Sequence, residues 1–283
     1  MGCITITLSL ILNNAQREQK LNVPKISIID THAHLDADEF AADCAAVIAR
    51  ALEARVNRII TVGTSVESSK KAIALAEKYP SVFAAVGIQP QEIAGVRQAD
   101  IRHISKLAKH PKVVALGEIG LDFYHSIVYR DEQIKGLKWQ LELASELRLP
   151  VIIHVRQATN DIIKILDEWV SASHAESPGV IHCFQDSMPA VKIYLEMGFY
   201  LALGAYIGYP GSRRAEVIKT IPQDRLLVET DCPYLPPQKY RGKRNEPAYI
   251  TYTVERMAEI LGKTVEDVAE QTTENAVRLF KFQ

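Results

Sequence analysis

Two histidines one residue apart close an apolar run, Ile28-Ile29-Asp30-Thr31-His32-Ala33-His34. In an extended strand such a pair points to one face, with Cα atoms about 6.5–7 Å apart. Both imidazoles can then converge on one divalent ion. A histidine pair in a polar turn has the same spacing, so the pair alone does not define a metal site. More candidates follow at the ends of later apolar runs: Glu118, His154, His182 and Asp231. Imidazole and carboxylate suit hard and borderline divalent ions such as Mg, Mn or Zn. Each of these residues also has a structural use, as a satisfied core histidine, a surface ion pair or a turn cap. Gathered on one rim, the six point to a metal centre. A catalytic zinc usually takes three protein ligands and keeps one position open. Six suit two divalent ions that share a bridging carboxylate.

Such groups need rigid elements behind them, and the chain alternates regularly. Strand-like runs at 26–30, 58–62, 82–86, 113–116, 151–153, 180–181, 199–203 and 226–228 alternate with helical patterns. The helical patterns cover 40–55, 68–79, 101–110, 132–147, 162–170, 188–197 and 214–220, then the C-terminal helices, one of them capped by Thr264. Leu137, Leu141, Ala144 and Leu147 make one apolar stripe. Alternation of this kind implies a parallel sheet, and eight units imply an α/β fold, a single (β/α)8 TIM barrel. An open doubly wound sheet is the other arrangement the pattern allows. In a barrel the functional groups sit at the C-terminal strand ends, where the six candidates fall.

Composition limits the function. The 283 residues carry 47% hydrophobic residues, enough for a large core. A net charge of -1 leaves no general basic surface, so any anion site is local. Cys3, Cys44, Cys183 and Cys232 form no C-x-x-C pair, which fits a reducing, cytoplasmic setting. Residues 1–24 stand apart as an unassigned extension. Their apolar stretch, 4–12, is too short to span a membrane and lacks a positively charged start. Residues 25–283 read as one barrel with no linker, expected to act as a monomer without a membrane partner.

A local anion site is present in outline. Lys239, Arg241, Lys243 and Arg244 follow the eighth strand, where barrels often bind phosphate. A solvated basic loop would have the same composition. Arg156 lies two residues beyond His154 and can meet a phosphate, or else pair with Glu118 or Asp122. Phe123, Tyr124, Phe184, Tyr206, Tyr209 and Tyr234 fall at or beyond strand ends. Such rings can stack on bases, though at least half are expected to pack the loops. Tyr124, Arg156, Arg241 and Arg244 are the candidate substrate contacts, with Gln89 and Gln91 after the third strand.

Together these residues form a set of motifs. They are Asp30-Thr31-His32-Ala33-His34-Leu35, Gly117-Glu118-Ile119-Gly120-Leu121-Asp122, His154-Val155-Arg156, His182-Cys183-Phe184, Glu229-Thr230-Asp231-Cys232-Pro233-Tyr234-Leu235 and Arg241-Gly242-Lys243-Arg244-Asn245-Glu246-Pro247. The set resembles that of the TatD family of metal-dependent deoxyribonucleases, within the amidohydrolase superfamily. The resemblance implies that His32, His34 and Asp231 hold one ion, that His154 and His182 hold the other, and that Glu118 bridges. It further implies hydrolysis of DNA phosphodiesters, commonly from the 3′ end. Two departures stand out. The family often has His-Pro-His where this chain has Gln89-Pro90-Gln91, and Ser-Gly where Gln185-Asp186 follows Phe184.

The expected reaction is in-line attack of an activated water on phosphorus, with Asp231 positioning the water or taking its proton and Glu118 holding the ions. Nearby arginines would offset the growing negative charge. A narrow barrel mouth favours a single-stranded nucleic acid over a duplex. One alternative keeps the ions and hydrolyses a carboxylic ester, including an aminoacyl ester on tRNA. Another is a silent barrel used as a binding partner, against which the full set of six ligands argues.

Overall fold

Apolar residues, many of them β-branched, line the strands of the barrel, and their alternation divides the apolar side chains into two cores. The computed structural model describes residues 27–173, 178–211 and 214–282. The extension at 1–24 and the start of the first predicted strand lie outside the described residues. Eight parallel strands run in chain order: β1 Ile28–Ala33, β2 Val56–Val62, β3 Val82–Val86, β4 Val113–Asp122, β5 Val151–Arg156, β6 Gly179–Ile181, β7 Tyr200–Leu203 and β8 Leu226–Val228. The barrel closes just past β8. Ala33 and Cys232 form a parallel bridge, Asp231 N–H donates to His32 O at 2.9 Å, and His34 N–H donates to Cys232 O at 2.8 Å. This closure separates the fold from an open doubly wound sheet.

Along β2, β5 and β7 the side chains alternate. Ile59, Ile153 and Leu201 join the outer core, while Ile60, Ile152 and Ala202 join the inner one. The outer core lies against the helices. These are α1 Cys44–Glu53, α2 Val66–Lys78, α3 Gln98–Leu107, α4 Phe123–Ser126, α5 Arg130–Leu147, α6 Thr159–Ser173, α7 Met188–Glu196, α8 Ala215–Ile218, α9 Ile250–Leu261 and α10 Val265–Phe280. The predicted stripe of α5 is buried at Leu137, Leu141 and Ala144. The inner core includes Ile29, Val62, Phe83, Tyr200 and Leu227, joined by Ala276, Leu279 and Phe280 from α10. The barrel is therefore filled from below, and polar groups gather above the inner core. Thr264 caps α10 as expected, accepting from Asp267 N–H at 3.0 Å. No helix among the described residues is long and apolar enough to cross a membrane.

The main departure from the expected elements is β4. It continues to Asp122 rather than stopping at 116. Glycine usually punctuates a strand, and Gly117 suggested an end there. Here Gly117 and Gly120 serve close backbone approach instead. A Cβ at Gly120 would meet His154 O at 2.0 Å, and one at Gly117 would meet Ile152 Cβ at 2.7 Å. The extended strand carries both Glu118 and Asp122 to the rim.

Candidate metal centre

Six strand-end side chains converge, and they do so in two groups. His32, His34 and Asp231 form one, and Glu118, His154 and His182 the other, with the ligand atoms of each group within 4.8 Å of one another. The Nε2 atoms of His32 and His34 are 3.2 Å apart. Asp231 Oδ1 stands 3.8 Å from His32 Nε2 and 3.5 Å from His34 Nε2. In the second group His154 Nδ1 is 3.1 Å from His182 Nε2. Glu118 belongs to both. Its Oε2 lies 3.5 Å from His32 Nε2 and 3.7 Å from His34 Nε2. Its Oε1 lies 2.7 Å from His154 Nδ1 and 3.4 Å from His182 Nε2.

The backbone fixes these positions. His32 and His34 sit on the same side of an extended segment, one at the end of β1 and one just past it. Asp231 takes a left-handed conformation, φ 57°, which aspartate tolerates better than most residues. Beneath it, buried Asp30 accepts from Thr230 N–H at 3.0 Å and Thr230 Oγ1–H at 2.6 Å, tying β1 to the end of β8. Burial pushes the Asp30 carboxyl up to about 8.

Burial opposes charge throughout the centre, yet the partners prevail at most positions. It pushes the His34 imidazolium down, but Asp231 and Glu118 outweigh it and raise this group to about 9. His182 is likewise driven well above the usual histidine range, against burial, by Glu118 and Glu229. Glu118 is held well below the carboxylate range despite burial, chiefly by His182 and His154. Asp231 is lowered, against burial, by His34 and the other imidazoles. His32 goes the other way, lowered by burial and by the nearby His182.

These residues fit divalent ions. Two pairs of imidazole nitrogens face each other at 3.1 and 3.2 Å, a spacing that needs a proton or a cation between the lone pairs. The donors are all imidazole or carboxylate, the set expected for Zn, Mn or Mg. Buried His32 Nδ1, His154 Nε2, His182 Nδ1 and Glu229 Oε2 make no hydrogen bond among the described residues.

A second layer lies behind the ligands, and the sequence reading missed most of it. His34 Nδ1 meets Val62 O at 3.0 Å. Asp122 Oδ2 stands 3.4 Å from His154 Nε2, and Glu229 Oε1 stands 3.6 Å from His182 Nδ1. Glu229 also accepts from Cys183 N–H at 2.6 Å and belongs to a third buried trio with His32 and His182. Spacing held the missing signal. Glu229 precedes Asp231 by two residues, and Asp122 follows Glu118 by four on one strand. Carboxylates behind metal-binding histidines hold the rings and raise their basicity. Glu229→Gln keeps an oxygen for Cys183 N–H but loses the charge. It is expected to weaken the centre's affinity for a divalent ion by about 10–100-fold, measured by calorimetric titration. Unchanged affinities would leave Glu229 as a loop latch only.

The expected substrate contacts divide. Four of the six aromatics pack. Phe184 and Tyr206 are buried, Tyr209 donates its hydroxyl to Pro236 O at 2.9 Å, and Phe123 lies under Arg130. Tyr124 and Tyr234 stand out at 56% and 54% exposure, enough to offer free faces. The Arg156 guanidinium lies 4.2 Å over the Tyr124 ring and pairs with neither Glu118 nor Asp122. Arg244 is engaged within the fold. It makes two 2.8 Å bonds to Asp43, reaches Glu39 O and lies over Phe40. Asn245 and Glu246 are anchors of the same loop, through Thr230 O at 2.9 Å and Arg50 at 2.6 Å. Arg241 and Lys243 are exposed and form no ion pair among the described residues. Gln91 donates to Asp122 Oδ2 at 2.7 Å, while the half-buried Gln89 side chain has no hydrogen-bond partner among the described residues.

A ligand set of this kind on the C-terminal rim of a parallel barrel defines a metal-dependent hydrolase. Residues 29–281 match the family model for TatD related DNase, and the chain belongs to the TatD family. It is 41% identical over 257 residues to YabD of Bacillus subtilis (strain 168), an uncharacterized metal-dependent hydrolase, covering 90% of this chain and 99% of that one. It is 33% identical over 261 residues to the 3'-5' ssDNA/RNA exonuclease TatD of Salmonella typhimurium, with 90% and 99% covered. Among solved structures, YJJV, a TatD homolog from Escherichia coli K12, superimposes with a TM-score of 0.86 at 30% identity, covering 92% of this chain and 100% of that one.

Proposed function

We propose that this hydrolase cuts the phosphodiester bonds of single-stranded nucleic acid from an end, in the 3′ to 5′ direction, with two divalent ions at its centre. One observation carries the reading: the two oxygens of Glu118 are divided between two groups of ligands. His32, His34 and Asp231 would hold one ion, His154 and His182 the other, and Glu118 both. Bound there, the ions supply Lewis acidity and make water nucleophilic at neutral pH.

The chain's own residues do the rest. Asp231 orients the attacking water and takes its proton. Arg156, steadied on Tyr124, meets the charge that grows on the phosphoryl oxygens. Tyr124 and Tyr234 offer stacking faces to terminal bases, and exposed Arg241 meets a neighbouring phosphate. The Salmonella relative's activity supports the direction of cutting.

The test offers a linear single strand and an aminoacyl ester side by side to protein stripped by a chelator, with and without added Mg, Mn or Zn. Nucleotides are expected from the strand only after ions return, with the ester left intact. Ester turnover without nucleotide release would transfer the centre to an ester substrate.

A further inference from the structure

In-line displacement places the leaving oxygen opposite the attacking water. With water activated deep among the six ligands, the departing oxygen emerges toward the mouth and needs a proton there. None of the six is assigned to supply it, because all six would be engaged in holding the ions. The rim beside His154 carries one more imidazole, on α4.

Asp122 builds that position. Its Oδ1 caps α4 by accepting from Tyr124 N–H at 3.0 Å and His125 N–H at 2.9 Å. Its Oδ2 meets His125 Nδ1 at 2.7 Å, Gln91 Nε2 at 2.7 Å and His154 Nε2 at 3.4 Å. One carboxylate therefore stands between a ligand of the centre and a rim histidine. The backbone of Asp122 is itself clamped, with N–H donating to Gln133 Oε1 at 2.8 Å and O accepting from Gln133 Nε2 at 3.0 Å. With Nδ1–H donated to Asp122, His125 has Nε2 left for another partner. The side chain is 43% exposed, so solvent and substrate can reach it. It also sits against Tyr124, ring centroids 4.7 Å apart, and Tyr124 carries Arg156 on its face. Arg156 lies two residues beyond His154 on β5, on the same side of the strand. The groups facing His125 are thus Asp122, Gln91 and Tyr124, with Arg156 across the tyrosine.

We propose that His125 is the proton donor to the leaving oxygen of the phosphodiester, an assignment that rests on the phosphodiester reading above. As the bond from water oxygen to phosphorus forms, the bond from phosphorus to the departing sugar oxygen breaks. That oxygen takes the Nε2 proton of His125, and Asp231 takes the proton lost by water. His125 leaves the step as neutral imidazole, still bonded to Asp122, and is reprotonated from solvent. The net change is diester plus water to monoester plus alcohol.

Leaving-group dependence tests the assignment. His125→Ala and His125→Gln are compared with the unchanged chain, ions bound, on a dinucleotide and on thymidine 5′-(p-nitrophenyl) phosphate. A sugar alkoxide needs the proton, whereas nitrophenolate leaves without one. The dinucleotide kcat/KM is expected to fall about 100-fold or more. The nitrophenyl ester should keep its rate, and ion content should not change. Equal losses on both substrates, or no loss on either, overturn the assignment. If the unchanged, ion-loaded protein cuts neither substrate, the phosphodiester reading falls and the proton donor with it.

Discussion

Glu118→Ala is expected to take the protein below two bound ions per chain and to lower turnover about 1000-fold or more. The reason is geometric. Glu118 alone among the six places one oxygen near each group of ligands. Without it, His32, His34 and Asp231 still form a group of three, but His154 and His182 lose the carboxylate that completes theirs. Two neighbouring cations would also lose the negative charge that lets them approach. Lewis acid stabilisation is worth several kcal/mol, and at about 1.4 kcal/mol per decade that is roughly 1000-fold in rate. Metal analysis and single-turnover hydrolysis read the two effects separately. Full ion content with full turnover would remove Glu118 from the centre.

The same residue shows what was legible in the chain. Its type and its place after an apolar run marked it as a rim group, because strand ends in a parallel barrel share one face. The same logic located His32, His34, His154, His182 and Asp231, which the fold brings together. Asp122 was less legible, because Gly117 read as the end of β4. Only the close approach of His154 O to Gly120 shows that the strand needs a residue without a side chain there. Glu229 lay within one recognised motif and His125 three residues past the end of another; spacing put Glu229 near Asp231, but which partner such a group touches depends on side-chain direction. The basic loop shows the converse. Arg244 and Arg241 are equivalent by composition, yet Asp43, 201 residues away from Arg244, engages Arg244 and leaves Arg241 exposed. Charge pattern marks such a loop as basic, and only the tertiary fold says which cation is free.

Access to the centre leads to the second large effect, end dependence. His32, Glu118, His182 and His34 are all buried, above a barrel interior closed by Tyr200, Phe280 and their neighbours. Substrate must therefore come down the mouth, past Tyr124 on α4 and Tyr234 in the loop beyond β8. Tyr234 stands edge-on to His34 with centroids 5.9 Å apart, so a base stacked on it lies directly beside the ligands. A duplex about 20 Å wide does not fit such an opening, since even its grooves admit only single elements of protein. A continuous strand meets a related obstacle, because both of its arms must leave by the mouth through which it entered. A free end has one arm, and exposed Arg241 can meet its next phosphate outside. A linear single strand is therefore expected to be shortened to mononucleotides or short products, while a covalently closed circle of the same sequence resists under identical ions and salt. A single cut introduced into the circle should restore digestion, which separates the need for an end from any effect of sequence. If the closed circle is cut as fast as the linear strand, the chain is an endonuclease, the rim must open further than these side chains allow, and the stacking role of Tyr124 and Tyr234 falls with it.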